Sequence, residues 1–254
     1  MKIVFLGTNG WYSTKTGNTP CVVIDSDKYY VVFDAGDGIY KLDSYITSSK
    51  PIYLFISHFH LEHIIGLHIL SKFRFKQGMS IYGQKGTKRI LSHLIQHPFT
   101  APLSDLPTRV EVKELSEGMH RIPFPVTCKF LLHADPCFGF RVRIDGKTIA
   151  YCTDTGICPN SLELSKDADI LIHECASKLG QNYEKWPHTN PQEAAELAAR
   201  ANVKQLVLFH FNASVYKSIE DREQAETEAR KIFKNTVAAI DGMSIDLPSK
   251  ISPL

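Results

Sequence analysis

Residues 52–63 read Ile-Tyr-Leu-Phe-Ile-Ser-His-Phe-His-Leu-Glu-His, and this stretch decides which fold and chemistry we expect. Its first half is rich in β-branched and aromatic residues, which predicts a buried strand from Ile52 to Ser57. Its second half contains three imidazoles and one carboxylate. Residues two apart on a helix point about 200° away from each other, so His58 and His60 can reach one ion only from an irregular loop. We therefore expect a metal-binding loop directly after a buried strand.

Apolar and polar residues alternate within this loop. We expect Phe59 and Leu61 to anchor it by packing into the core, while His58, His60 and Glu62 face a cavity. The alternative is a chance cluster of histidines on a surface turn.

The composition is that of an ordinary globular protein. The 254 residues include 29 basic and 27 acidic side chains, a net charge of +2, and 43% hydrophobic residues. These values exclude a disordered or collagen-like chain, and a dedicated polyanion-binding protein would be more basic. The apolar runs are far shorter than the roughly 20 residues that span a bilayer, and because only Ile3 to Leu6 form an apolar run before Gly7 we expect no secretory signal. We expect one cytoplasmic domain over residues 1–254, no membrane partner, and six cysteines that are free thiols.

Strand patterns come first along the chain, and an alternation of strands and helices follows. Strands are predicted at Lys2 to Leu6, Cys21 to Asp25, Tyr29 to Phe33 and Val203 to Phe209. Helices are predicted at Ile64 to Phe73, Lys85 to Ile95, Pro191 to Ala201 and Ile219 to Phe233. Closing strands are predicted over Val237 to Leu247, around an Asp241-Gly242 turn. This order indicates layered α/β packing, with helices outside one or two sheets.

The motif His-x-His-x-(acid)-His after a hydrophobic strand resembles the metal-binding motif of the metallo-β-lactamase-fold hydrolases. Three further segments match that family, namely Leu131-Leu132-His133-Ala134-Asp135, Tyr151-Cys152-Thr153-Asp154-Thr155-Gly156, and His210 after Leu206 to Phe209. Leu6-Gly7-Thr8 and Phe33 to Gly38 also resemble the subgroup that contains tRNase Z and related phosphodiesterases. The resemblance implies an α/β fold of the four-layer αββα sandwich type.

The resemblance also implies two divalent metal ions that share one carboxylate. The ligands it implies are His58, His60 and His133 at one ion, His63 and His210 at the other, and Asp154 between them. Imidazole ligands with a bridging carboxylate favour zinc, and ligand type leaves manganese and iron open. Two adjacent cations activate water and stabilise charge on phosphate, so the implied reaction is metal-assisted hydrolysis.

Glu62 departs from the family pattern, which has aspartate at this position. The resemblance implies that the carboxylate binds the second ion and takes a proton from the attacking water. Glutamate keeps the oxygen donor but moves it about 1.5 Å outward. We assign Glu62 as a ligand, and an outer carboxylate that orients a histidine is the alternative.

A second polar group lies at His173, Glu174 and His188, ahead of the Pro191 helix. In the tRNase Z subgroup a similar carboxylate orients a histidine that protonates the leaving oxygen, and the resemblance assigns these roles to Glu174 and His188. An imidazole held by a carboxylate titrates in a useful range for such an acid. A helix-capping cluster is the alternative, and we expect His173 to be structural.

For several other residues the sequence is compatible with two roles. Asp34 either fixes the metal loop through hydrogen bonds or stabilises a turn. Lys15, Thr16 and Asn18 stand in a loop that borders the cleft in the resembling enzymes, where they contact substrate or are solvated.

Only 21 positions separate His133 from Asp154, which leaves room for one hairpin. Bacterial-type tRNase Z enzymes insert their tRNA-gripping arm between these ligands, so the resemblance favours a small or cyclic phosphodiester substrate over RNA. An RNA 3′-processing endonuclease and a metal-binding sensor that lost activity through Glu62 are the alternatives. By analogy with the subgroup, a homodimer is also expected.

Overall fold

Two seven-stranded β-sheets face each other in the computed structural model, which describes residues 1–181 and 185–248. The first sheet contains β1 (Lys2–Gly7), β3 (Cys21–Asp25), β4 (Tyr30–Phe33), β5 (Ile52–Phe55), β6 (Met79–Gln84), β7 (Val110–Leu115) and β16 (Ser244–Asp246), in the order β16-β1-β3-β4-β5-β6-β7. The second contains β8 (Gly118–Ile122), β9 (Phe124–Phe130), β10 (Phe138–Ile144), β11 (Lys147–Cys152), β12 (Ile170–Glu174), β13 (Leu206–Phe209) and β15 (Thr236–Ala238), in the order β15-β13-β12-β11-β10-β9-β8. A short parallel pair, β2 (Asn9–Gly10) and β14 (Phe211–Asn212), lies apart from both.

Helices cover the outer face of each sheet. They are α1 (Leu61–Ile64), α2 (Thr87–Leu94), α3 (Pro159–Ser165), α4 (Pro191–Arg200) and α5 (Ile219–Arg230), with 3-10 segments at Asp37–Ser44, Ile65–Lys72 and Leu103–Asp105. Residues of α2 and of the first two 3-10 segments pack on the first sheet, and residues of α3, α4 and α5 pack on the second. The predicted four-layer αββα sandwich is confirmed.

Aromatic side chains from both sheets fill the space between them. Phe33 of β4 stacks on Tyr151 of β11 with ring centroids 4.7 Å apart, and Phe5 lies 6.0 Å from Phe209. All four side chains are fully buried. Burying one such ring contributes about 1.5–3 kcal/mol, so this layer fixes the two sheets relative to each other.

Several predicted elements are confirmed, and local capping explains one of them. The Asn190 side chain accepts hydrogen bonds from the backbone of Gln192 and Glu193, and Pro191 occupies the first helical turn of α4. The strands predicted at Cys21 to Asp25 and Tyr29 to Phe33 form the antiparallel pair β3–β4, and the hairpin predicted between His133 and Asp154 is the antiparallel pair β10–β11.

One prediction about the elements was wrong, and another is confirmed with strand partners that the sequence did not indicate. The helix predicted from Ile64 to Phe73 is a 3-10 segment for most of its length, because the Gly66 N–H donates to the Ala35 carbonyl, 2.9 Å away, rather than within a helix. The closing strands in Val237 to Leu247 do not pair with each other. Strand β15 joins β13 in the second sheet, and β16 joins β1 in the first.

In the part of the chain that the structure describes, none of the helices combines the length and the apolarity that crossing a membrane requires.

Candidate metal centre

Most of the site residues follow the carboxyl ends of parallel strands, whereas His133 follows β9, an antiparallel strand of the second sheet. Strands β4 and β5 run parallel in the first sheet, as do β11, β12 and β13 in the second. Asp34, Asp154 and His210 each follow such a strand and adopt positive φ angles of 57°, 44° and 53°. This left-handed conformation is uncommon for residues other than glycine and clusters at functional sites. The chain therefore turns sharply out of the sheets where the site lies.

The first group of possible ligand atoms comes from His58, His60, His133 and Asp154. One atom from each lies within 4.8 Å of the others. His60 Nδ1 is 3.3 Å from His133 Nε2, which in turn is 4.0 Å from an Asp154 oxygen. Ser57 Oγ lies 3.0 Å from His58 Nδ1, which leaves His58 Nε2 for the centre of the group. The three histidines expected to share an ion are thus brought together.

The second group comes from Glu62, His63, Asp154 and His210, again with one atom from each within 4.8 Å of the others. His63 Nε2 and His210 Nε2 lie 3.1 Å and 3.2 Å from Asp154 Oδ2 and 3.2 Å from each other. Asp154 belongs to both groups, as expected of a bridging carboxylate. The longer Glu62 side chain still brings an oxygen to the second group.

The donor atoms fit divalent cations. His58 Nε2 is buried and has no hydrogen-bond partner among the described residues, which a metal ion would provide. Burial lowers the pKa values of His58, His133 and His210, that of His133 to about 4, so these imidazoles are neutral. Burial also disfavours a charged His63, but Asp154 and Asp34 raise the pKa of His63 well above its usual value. The centre thus offers three neutral imidazoles, the form that binds metals, and its carboxylates stabilise positive charge at His63.

Asp34 orients the second group from beneath. Its fully buried carboxylate accepts hydrogen bonds from the Ser57 N–H and Oγ, at 2.8 and 2.9 Å, and from the Tyr151 hydroxyl at 2.7 Å. His63 Nδ1 lies 2.8 Å from the same carboxylate. A histidine ligand is commonly oriented by such a partner. Of the two roles expected for Asp34, the structure supports fixing the metal loop.

Glu174 and His188 form the predicted pair beside the two groups. His188 Nδ1 lies 2.7 Å from Glu174 Oε1, and the fully buried carboxylate also accepts from the backbone N–H groups of Thr155 and Ala176. Burial lowers the pKa of His188, but the Glu174 carboxylate raises it by more, to about 9. The His188 ring centroid is 5.6 Å from that of His133. A protonated imidazole is thus held at the edge of the first group.

Two contacts of the site were missed by sequence reasoning. His60 Nε2 lies 2.9 Å from an Asp135 oxygen, a partner two residues beyond a predicted ligand in the sequence. A Cβ on Gly10 would lie 2.7 Å from His210 Cε1, so the backbone of the loop packs directly on that ring. The proximity of Asp135 to the His133 motif was a usable signal, whereas Gly10 carried none.

One expectation about the loop after β5 was wrong. Phe59 packs against the outer core of the first sheet, but Leu61 is 62% exposed. Since α1 begins at Leu61, the alternation of the preceding strand ends there, and the helical turn directs this side chain to solvent.

The remaining candidates lie outside both donor groups. His173 is buried with Nδ1 2.9 Å from the Glu174 carbonyl, as expected of a structural residue. Thr16 and Asn18 hydrogen-bond to polar neighbours in and around their own loop, and Lys15 is exposed. All six cysteines are free, as predicted.

A family model described as a beta-lactamase superfamily domain matches residues 29–211. The chain belongs to the beta-lactamase superfamily. This superfamily match covers the strand-end segments that carry the donor atoms of both groups. Together with its relatives it identifies the protein as a metal-dependent hydrolase.

Known proteins resemble this superfamily member over nearly their whole length. A ribonuclease Z from Microcystis aeruginosa is 28% identical, with 98% of this chain and 96% of the relative aligned. Among solved structures, the metallo-β-lactamase-fold protein YhfI from Bacillus subtilis is 22% identical with a TM-score of 0.80, covering 96% of this chain and 98% of its own. The short form of human tRNase Z is 25% identical with a TM-score of 0.75, covering 98% and 100%.

Proposed function

We propose that this protein is a dinuclear metal-dependent phosphodiesterase that hydrolyses small or cyclic phosphodiesters, with His188 as general acid. The observation that carries the proposal is the Glu174–His188 pair, 2.7 Å apart, beside two donor groups that share Asp154. We take this pair to be a feature that a lactam or thioester hydrolase would not need. The alkoxide of a phosphodiester leaves poorly unless it is protonated.

Two divalent cations, which we propose to be zinc, would bind phosphate oxygens, lower the pKa of water and stabilise developing charge. His58, His60 and His133 would hold one, and Glu62, His63 and His210 the other, with Asp154 shared. Glu62 would also accept a proton from the attacking water, a role supported by its carboxylate oxygen lying within 4.8 Å of the other donor atoms of the second group.

His188 and Glu174 divide the acid role between them. The Glu174 carboxylate accepts from Nδ1 of His188, so the transferable proton is on the opposite nitrogen, Nε2. Two backbone N–H groups hold Glu174 in place, which keeps the imidazole from rotating away. His188 would protonate the leaving oxygen, and Glu174 would orient it and stabilise its charged form.

The hairpin between His133 and Asp154 favours a small substrate. Strands β10 and β11 pair from Phe140 with Tyr151 to Ile144 with Lys147, so only two residues form the turn. The chain has no room there for the arm that the resembling tRNase Z enzymes insert. The alignment with the Microcystis ribonuclease Z runs over 312 positions, more than the 254 residues of this chain, so that relative contains segments without a counterpart here.

The second candidate is a ribonuclease of the Z type, and the sequence similarity favours it. The relative aligns over 98% of this chain. Gripping a folded RNA requires several cations against phosphates, however, and the net charge of this chain is only +2. Cleavage of a precursor tRNA by the purified protein, faster than cleavage of any cyclic phosphodiester, would favour this candidate.

The test is hydrolysis of bis-p-nitrophenyl phosphate, with metal content measured on the same sample and a chelated control. We expect chelator-sensitive turnover with about two ions per chain. His188→Ala should lose most turnover yet keep both ions, whereas Asp154→Ala should lose metal. Two bound ions without turnover on any phosphodiester would contradict the proposal, and one ion without turnover would support a degenerate sensing module.

A further inference from the structure

Trp186 lies against two residues of the first donor group while half of its surface remains open. Its ring centroid is 5.5 Å from that of His60 and 6.1 Å from that of His133. The planes are inclined by 52° and 61°, so neither histidine covers the indole face to face. The side chain is 50% exposed. A large flat apolar surface is therefore presented to solvent directly beside the site that would bind phosphate.

The position of Trp186 is tied to that of the proposed acid. Only Pro187 separates it from His188, and a residue before proline is restricted to extended conformations. A Cβ on Gly156 would lie 3.1 Å from Pro187 Cβ, so Pro187 packs closely on the segment that follows Asp154. The indole and the His188 imidazole are thus held in a fixed relation on one short, packed segment.

A second exposed apolar side chain adjoins the same segment. Leu132 is 50% exposed, and its Cδ2 would lie 3.2 Å from a Cβ on Gly156, the residue on which Pro187 packs. This surface would suit an apolar, flat group of a substrate better than a hydroxyl-rich sugar. Indole rings stack on nucleobases, and such stacking tolerates any base because every base has a π face.

We propose that Trp186 is a specificity residue that stacks on the nucleobase of the substrate, so that the substrates are diesters of mononucleotides, such as nucleoside cyclic phosphates. The inference rests on the proposed phosphodiesterase function. In a nucleotide, one ribose joins phosphate to base. A phosphate at the donor groups therefore places the base one ribose away, where the indole adjoins the rings of His60 and His133.

Fluorescence tests the stacking without relying on turnover. The chain has two tryptophans, so Trp11→Phe leaves Trp186 as the only indole. Titration of this variant, loaded with zinc, with adenosine 5′-monophosphate should quench the emission and give at least tenfold tighter binding than ribose 5-phosphate. The matched variant Trp186→Phe, which retains Trp11, should show no quenching. Equal binding of the two ligands, without quenching, would overturn the proposal.

Kinetics separate stacking from a structural role. Trp186→Ala should raise KM for adenosine 2′,3′-cyclic phosphate about ten- to hundredfold with kcat within about threefold, and should leave KM for a base-free cyclic ribose phosphate unchanged. Trp186→Phe should recover most of the loss. Phe99→Ala is the control, because it removes another aromatic side chain, which follows α2 and is 64% exposed. It should leave KM for both substrates unchanged. An equal rise in KM for both substrates in Trp186→Ala would contradict stacking.

Two outcomes distinguish this inference from the function on which it rests. Chelator-sensitive hydrolysis of bis-p-nitrophenyl phosphate without any preference for a base would retain the phosphodiesterase and overturn the role of Trp186. Quenching by the nucleotide without hydrolysis of any diester would retain the stacking surface and contradict the phosphodiesterase. Quenching by a short oligoribonucleotide but not by the mononucleotide would overturn the mononucleotide assignment.

Discussion

Asp34 and His63 meet at 2.8 Å between Oδ2 and Nδ1, and both side chains are fully buried. An ionised carboxylate only accepts hydrogen bonds, so Nδ1 carries a proton and Nε2 is the nitrogen that the neutral imidazole offers to a cation. That nitrogen faces Asp154 and His210. The contact therefore selects the tautomer of His63 that can bind a cation.

Asp34→Asn should weaken metal binding without removing a ligand. The amide can present its NH₂ group to Nδ1 and so favour the wrong tautomer, and loss of such a partner typically reduces metal affinity about 10- to 100-fold. Competition with a chromogenic chelator measures the affinity. Asp37→Asn, three residues away and bonded to Ser13 and Asn18, is the matched control and should bind metal normally. Unchanged affinity in Asp34→Asn would leave Asp34 as a turn residue only.

Glu62→Asp should lower the occupancy of the second group. Glu62 already reaches His63, Asp154 and His210, and aspartate would withdraw the oxygen by one methylene, about 1.5 Å. We expect about one ion per chain instead of two, with diesterase activity reduced at least tenfold. Metal analysis of the purified variant measures the occupancy. Higher activity than that of the native protein would instead support a site degraded by glutamate.

Glu174→Gln should move the alkaline limit of activity to lower pH. Burial lowers the pKa of His188, and carboxylates, Glu174 foremost, raise it to about 9, so removing the Glu174 charge should lower this pKa. The acid form of His188 would then be lost at a lower pH. The pH profile of kcat/KM on a substrate with a poor leaving group should fall near pH 9 in the native protein and at a lower pH in the variant. A profile that does not move would show that His188 is not the acid.

The Glu174–His188 pair should also make the stability of the fold depend on pH. The pKa of His188 is higher in the folded state than the usual value near 6.5, so the folded chain binds this proton more tightly. The resulting stabilisation is fully present below about pH 6.5 and is lost as pH rises through about 9. Denaturant melts of the native protein and of His188→Ala should therefore differ most at acidic to neutral pH and converge above pH 9.

Arg222→Ala should destabilise the fold and weaken metal binding by the second donor group. The guanidinium is fully buried and donates to Thr8 Oγ1 at 2.7 Å, to the Ala239 carbonyl at 2.9 Å and to Asn9. Deleting it removes charged hydrogen bonds and leaves a cavity, which costs about 3 kcal/mol or more. Strand β2 would also lose its support beside His210. Urea denaturation measures the stability, and Arg200→Ala, exposed at the end of α4, should change it little.

Local patterns were sufficient for the strand before the histidine cluster, the hairpin before Asp154 and the cap of α4. These features depend on neighbours in the sequence, where periodicity, turn residues and capping residues act directly. The family resemblance of the His58 to His63 motif was needed to predict the αββα sandwich and the residues that come together in the two donor groups.

Contacts between segments that are distant in the chain could not be predicted from the sequence. The role of Asp34 could not be chosen from the sequence, because its partner Tyr151 comes from the opposite sheet, 117 positions away. Strands β15 and β16 looked like one closing unit, but the free edges of two different sheets determined their partners. Local sequence patterns indicated the chemical groups of the site and several of the strands, but not the strands from Met79 to Phe130. The contact of Asp34 with His63 and the position of the Trp186 indole beside His60 and His133 depend on tertiary packing, because burial and ring contacts form only when both sheets are in place.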